Sequence, residues 1–217
     1  MEADRIEIKT VLISVAVVAV IEAAVGIAAP TGSYSSILLP GVARFLEAVL
    51  IVMIVLNREK GLSSIGLAPS GMFFGLKRGV IWSAGLGIMV LLVSVVLFAF
   101  GINPLASIHT RLPAGQSEII LFFLIGGIVS PVAEEIFFRG IIYRFFRQWG
   151  VLVAVALSTL AFVLAHPASS GLPLSHITGG IFFAMAYEEE GNLTVPITIH
   201  ILGNIAIFSL SLWTMGG

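Results

Sequence analysis

The sequence predicts an all-α fold, a polytopic transmembrane helical bundle of about seven spans with a short cytoplasmic amphipathic helix. Two observations lead there. Of 217 residues, 58% are hydrophobic and only 11% are charged, against roughly 45–50% and about 25% in a soluble domain. The apolar residues also fall into long runs, each long enough to be read against the roughly 20 residues that cross a bilayer. Eleven Lys/Arg and twelve Asp/Glu cannot coat a water-facing surface of this size, which excludes a soluble globule, a disordered tail and a nucleic-acid binder. No cysteine is present, so a disulfide framework, a thiol nucleophile and Cys-ligated metals are excluded. The chain reads as a single integral membrane domain, 1–217, with N-terminal spans over 1–116 and the candidate site carried by 117–213.

The spans follow in order. The first covers Val11–Ala29 and stops before Pro30. Mixed charge precedes it (Glu2, Asp4, Arg5, Glu7, Lys9) and more spans follow, so it is not a cleavable signal peptide. The second, Ser36–Leu56, carries Arg44 and Glu47, three apart and able to satisfy each other, and Glu22 on the first is expected to face the bundle. In the connection Asn57–Arg78, the turn Ile65-Gly66-Leu67-Ala68-Pro69 precedes Met72, Phe73, Phe74 and Leu76 beside Lys77 and Arg78. That pattern predicts the amphipathic helix on the inner leaflet. The third span, Gly79–Phe100, has no charge. The fourth, Ser117–Arg147, is long enough to tilt or protrude, with Ser117 as N-cap and Glu118 in the first turn. The fifth is Val151–His166, before Pro167; the sixth Pro173–Tyr187; the seventh Leu193–Trp213. With the N-terminus cytoplasmic, Arg5, Lys9, Arg58, Lys60, Lys77, Arg78, Arg144 and Arg147 all lie inside and Arg111 outside. This positive-inside bias puts the C-terminus outside.

Ionisable groups at bilayer depth cost at least about 2.5–3.5 kcal/mol each on insertion scales, so they mark function first. The fourth span holds Glu134-Glu135-Ile136-Phe137-Phe138-Arg139, the fifth Phe162 to His166, the seventh His200 to Asn204. Glu135 and Arg139 are four apart and can pair; His200 and Asn204 share a face by the same spacing. Glu134 points about 100° away from Glu135. At about 1.5 Å per residue, Glu134, His166 and Asn204 lie roughly 16–22 Å above the cytoplasmic ends of their spans, with His200 a turn nearer the cytoplasm. Three helices thus bring polar groups to one layer.

A Glu beside a His can deprotonate water, and a second His with an Asn amide can donate to an oxyanion. That suits attack of water on a peptide carbonyl, with the site opening toward the cytoplasmic side. Alternatively, Glu134, His166 and His200 could ligate a divalent metal. Other intramembrane protease chemistries are excluded: the only Asp is Asp4, there is no HExxH, and Ser130 precedes Pro131. His176 reads as interfacial and His109 as a loop residue. Glu188–Glu190 reads as a solvated cytoplasmic turn.

Glu134-Glu135-x-x-x-Arg139, Phe162-x-x-x-His166 and His200-x-x-x-Asn204 together resemble the three motifs of the CPBP (CAAX protease and bacteriocin-processing) intramembrane proteases, which include Ras-converting CAAX endopeptidases and abortive-infection proteins. The resemblance covers about 117–210 and is loose before it. The Ras-converting members carry one span more than is read here. The resemblance implies Glu134 as general base, assisted by His166. It implies His200 and Asn204 at the oxyanion and Glu135 with Arg139 as a supporting pair. It implies a metal-free, glutamate-dependent mechanism with no cofactor. Expected partners are the lipid bilayer and a peptide or protein substrate at the membrane, with a prokaryotic plasma membrane as the setting. The competing readings are a catalytically silent protein binding a regulatory membrane partner, and a metal-dependent variant of the protease. A small transporter lacks the paired broken helices it would need.

Overall fold

The computed structural model describes residues 6–28, 33–104, 110–166 and 174–215, without the side chains of 33, 34 and 215. Asp4, Arg5, Pro30, His109, Pro167 and Pro173 lie outside the described residues. Those described form an all-helical bundle: α1 (Ile8–Ala28), α2 (Ser33–Arg58), α3 (Met72–Ala99), α4 (Gln116–Leu124), α5 (Ser130–Glu135), α6 (Arg144–Phe146), α7 (Val151–Ala165), α8 (Leu174–Glu190) and α9 (Thr194–Met215). Helices α4 to α6 are one continuous rod, Gln116–Trp149, in which π-helical stretches Ile125–Val129 and Ile136–Tyr143 bracket α5. Five of the described helical stretches are long and apolar enough to cross a membrane; α7, at 15 residues, is apolar but short. The chain is an integral membrane protein. From Val80 to Ala99 no residue of α3 is buried, the surface expected of a charge-free helix facing acyl chains.

Local sequence explains the turns and close approaches that position the site. The expected amphipathic helix is not separate: after 3₁₀ turns at Leu62–Ile65 and Pro69–Gly71, Met72 to Arg78 form the opening of α3 itself. The N-cap of the fourth rod is Gly115, two residues before the expected Ser117, and Glu118 at the third position accepts the Gly115 N–H at 3.4 Å. α3 lies against α9 through Gly79, where a Cβ would strike Thr198, and against the α8–α9 turn through Gly75, where a Cβ would strike Asn192. This is the small-residue spacing that lets membrane helices approach closely. Gly41 leaves no room for a Cβ against Ile125, so α2 presses on the first π stretch. Gly66 (φ +71°) adopts a left-handed conformation that glycine tolerates, and a Cβ there would lie 2.6 Å from the Gly191 carbonyl oxygen. Its own carbonyl accepts the Leu193 N–H at 2.8 Å, so the loop after α2 docks under the α8–α9 turn. Fully buried Ile51, Val55, Ile65, Ile141, Tyr143, Tyr187 and Leu193 pack around that junction.

Candidate active site

The site begins on α5, where the two glutamates sit between the π stretches. Such stretches recur at functional sites because they re-aim side chains within a helix. Glu135 and Arg139 have no exposed surface and pair at 2.8 Å. Arg139 Nη2 also donates to the Gly180 carbonyl on α8 at 3.0 Å, and its guanidinium lies over the Phe162 and Phe183 rings at 4.9 and 5.3 Å. A charge buried in hydrocarbon is tolerated only when so compensated. Glu135 Oε2 and Arg139 Nε are buried with no hydrogen-bond partner among the described residues.

Glu134 faces the other way. Its Oε1 lies 3.5 Å from His166 Nε2 at the end of α7, and its Oε2 lies 3.8 Å from His200 Nε2 on α9. His166 Nδ1 is 2.8 Å from the Phe162 carbonyl oxygen, four residues back. A carbonyl only accepts, so Nδ1 carries the proton and Nε2 turns to Glu134. His200 Nδ1 is 2.8 Å from Glu135 Oε1, and its ring stacks on Phe183 at 4.7 Å. Both imidazoles therefore aim Nε2 at one carboxylate. Asn204 Nδ2 donates to the Gly126 carbonyl in the first π stretch at 2.9 Å, which ties α9 to the rod above the glutamates.

The structure thus brings together Glu134, Glu135, Arg139, His166 and His200. It places Asn204 one helical turn beyond His200, engaged with Gly126. His200, not Asn204, is the α9 residue that reaches Glu134. Arg44 pairs with Glu47 at 2.9 Å as its spacing predicts, and also approaches Glu22 at 3.1 Å. The His176 ring is half-buried and stacks on His166 at 5.1 Å, 26° from parallel. The Glu188–Glu190 turn is not merely solvated. Glu188 binds Arg147 at 2.7 Å and accepts from Tyr143, and Glu190 binds Arg78 at 2.6 Å and accepts from Trp82. Partners 41 and 112 residues away in sequence carry these pairs, which no local pattern announces. Burial raises the Glu188 carboxyl, but hydrogen bonds from Arg147 and Tyr143 outweigh it and hold the group below its ordinary value. The Arg78 hydrogen bond likewise holds Glu190 below its own.

A divalent metal would draw on Glu134, His166 and His200. The carboxylate behind His200 is the kind of support a metal-ligating imidazole has. Among the described residues, however, no group of three His, Cys, Asp or Glu side chains is arranged to hold a metal ion.

Comparison with known proteins bears on the same stretch. Residues 116–206 match the family described as type II CAAX prenyl endopeptidase Rce1-like. The chain is 33% identical over 106 residues to the membrane-embedded CAAX protease MroQ of Staphylococcus aureus (strain USA300), covering 45% of this chain and 42% of that one. It is 25% identical over 181 residues to YdiL of Bacillus subtilis (strain 168), covering 77% and 69%. It is 31% identical over 130 residues to an uncharacterized 24.3 kDa protein of Escherichia coli, covering 56% and 59%. The chain thus spans less than half the length of MroQ. No solved structure matches it. The stretch that carries all three motifs is similar, as a unit, to the Rce1-like type II CAAX prenyl endopeptidase family.

Proposed function

We propose that the chain is an intramembrane endopeptidase hydrolysing a peptide bond of a membrane-associated substrate. Glu134 takes a proton from water as the water oxygen attacks the scissile carbonyl carbon, with His166 as its partner in holding that proton. The carbonyl oxygen becomes an oxyanion that accepts from the Asn204 amide and from His200 Nε2, which donates when His200 carries a proton on both ring nitrogens, Nδ1 donating to Glu135. The proton then passes to the leaving amine as the C–N bond breaks. One observation carries this reading: a buried carboxylate inside a stretch long and apolar enough to cross a membrane stands 3.5 and 3.8 Å from imidazole nitrogens of two other helical segments. Similarity of residues 116–206 to CAAX endopeptidases agrees with it.

The same reading gives the protein a peptide or membrane-tethered protein as substrate and no cofactor, in a prokaryotic plasma membrane. The N-terminus is cytoplasmic and the C-terminus outside, with the site opening toward the cytoplasm. The excess of Arg58, Lys60, Lys77, Arg78, Arg144 and Arg147 on one side of the spans supports that orientation by the positive-inside rule. The test is a cleavage assay of purified protein against a peptide library, wild type beside Glu134→Gln. Cleavage by the wild type that the folded variant loses supports the reading; full activity in the variant ends it. Activity that survives chelation supports water activation by Glu134, whereas loss on chelation and return with added divalent metal supports a metal on Glu134, His166 and His200. A protein that cleaves nothing, yet binds a membrane partner regardless of Glu134, is a regulator instead.

A further inference from the structure

We propose that His176 is a positioning residue for His166, holding the plane of its ring so that Nε2 stays on Glu134. The inference rests on the catalytic reading above and deepens it. His166 is the loosest member of the group. Its side chain is 25% exposed, against 9% for Glu134 and 7% for His200. It stands just past the end of α7, as the residue that caps the helix. Nδ1 meets the Phe162 carbonyl at 2.8 Å and Nε2 approaches Glu134 at 3.5 Å, which leaves the tilt of the ring about the line through its two nitrogens to packing.

Two rings close that freedom. Phe162 lies beside the His166 ring at 4.6 Å and His176 stacks on it at 5.1 Å, 26° from parallel. His176 comes from the first turns of α8, so the contact also fastens the end of α7 to the start of the next helix. Its own position depends on the same stack. Phe162 stands 6.0 Å away, and the approach of Ser175 Oγ to Nδ1, at 3.5 Å, is too long to orient the ring. The imidazole of His176 thus acts through its face, not its nitrogens. An aromatic ring of similar shape should replace it, and a small side chain should not.

The experiment compares His176→Ala and His176→Phe with wild type, by two readouts. The first is accessibility of His166 to diethyl pyrocarbonate, measured by peptide mass spectrometry on protein in detergent. It needs no substrate, so it tests the stack even if the protein cleaves nothing. His176→Ala should raise modification of His166 severalfold and His176→Phe should leave it at the wild-type level. The second is kinetics on a peptide that the wild type cleaves. His176→Ala should lower kcat by roughly tenfold or more with KM unchanged, the signature of a misplaced catalytic group, and His176→Phe should recover most of it. Unchanged His166 modification in both variants overturns the proposal. So does equal loss of kcat in the two variants at unchanged Tm, since His176 would then act through its nitrogens.

Discussion

Two consecutive carboxylates lead opposite lives on α5. Glu135 has no exposed surface, and one of its oxygens takes both Arg139 and His200 at 2.8 Å. Glu134, one residue earlier, makes only long approaches of 3.5 and 3.8 Å to imidazole nitrogens. The same side chain is a fastened strut in one case and a carboxylate with no short ion pair in the other. The cause is rotation: successive helical residues point about 100° apart, so one glutamate meets a guanidinium and the other meets two histidines. Short contacts hold the bundle; the longer ones leave chemistry to do.

That contrast can be broken or sharpened by substitution. The largest effect falls on Glu134. Its removal as Glu134→Gln should lower cleavage by about 10²–10⁴-fold, the range for a lost general base, while the Tm in detergent stays near wild type. Next comes the strut. Arg139→Ala should destabilise by about 3–5 kcal/mol, because it strands a buried carboxylate, whereas replacing Glu135 and Arg139 together by leucine should cost less. A thermal or denaturant scan measures both, and an unchanged midpoint in Arg139→Ala would show that the pair is not a strut. Smaller again is the helix contact that frames the site. Gly79→Val should overpack against Thr198 on α9 and cost about 1–3 kcal/mol. The smallest effect is electrostatic and lies away from the site. Glu188 and Glu190 are held below their ordinary values by Arg147 and Arg78. Their stabilisation is therefore present in full above the ordinary carboxylate range and is lost as the pH falls through it and below. The wild-type Tm should drop on acidification, and the drop should be shallower in Glu188→Gln and Glu190→Gln; parallel curves would discount these pairs.

Much of the fold was legible because hydrophobic runs set span positions directly. The expected Val151–His166 and Leu193–Trp213 differ from α7 and α9 by no more than two residues at any end. The three motif helices, and the i,i+4 pairing of Glu135 with Arg139, could likewise be read from spacing. What spacing could not supply was the meeting of distant residues. Depth alone set Asn204 level with Glu134, yet the π stretches shift the rod against α9, so His200 meets Glu134 and Asn204 meets Gly126. A depth count at 1.5 Å per residue assumes an unbroken α-helix, and this rod is not one. The stack of His176 on His166 is illegible in the sequence for the same reason: the two rings stand on different helices, and no motif links them.

The central claim is that Glu134 and His166 work as one unit across two helices. A double-mutant cycle of Glu134→Gln and His166→Ala, read as kcat/KM on a cleaved peptide, tests it most directly. Residues that act together are grossly non-additive, so the double variant should be no more impaired than the worse single variant. Losses that multiply would show the two side chains acting independently and would contradict this account.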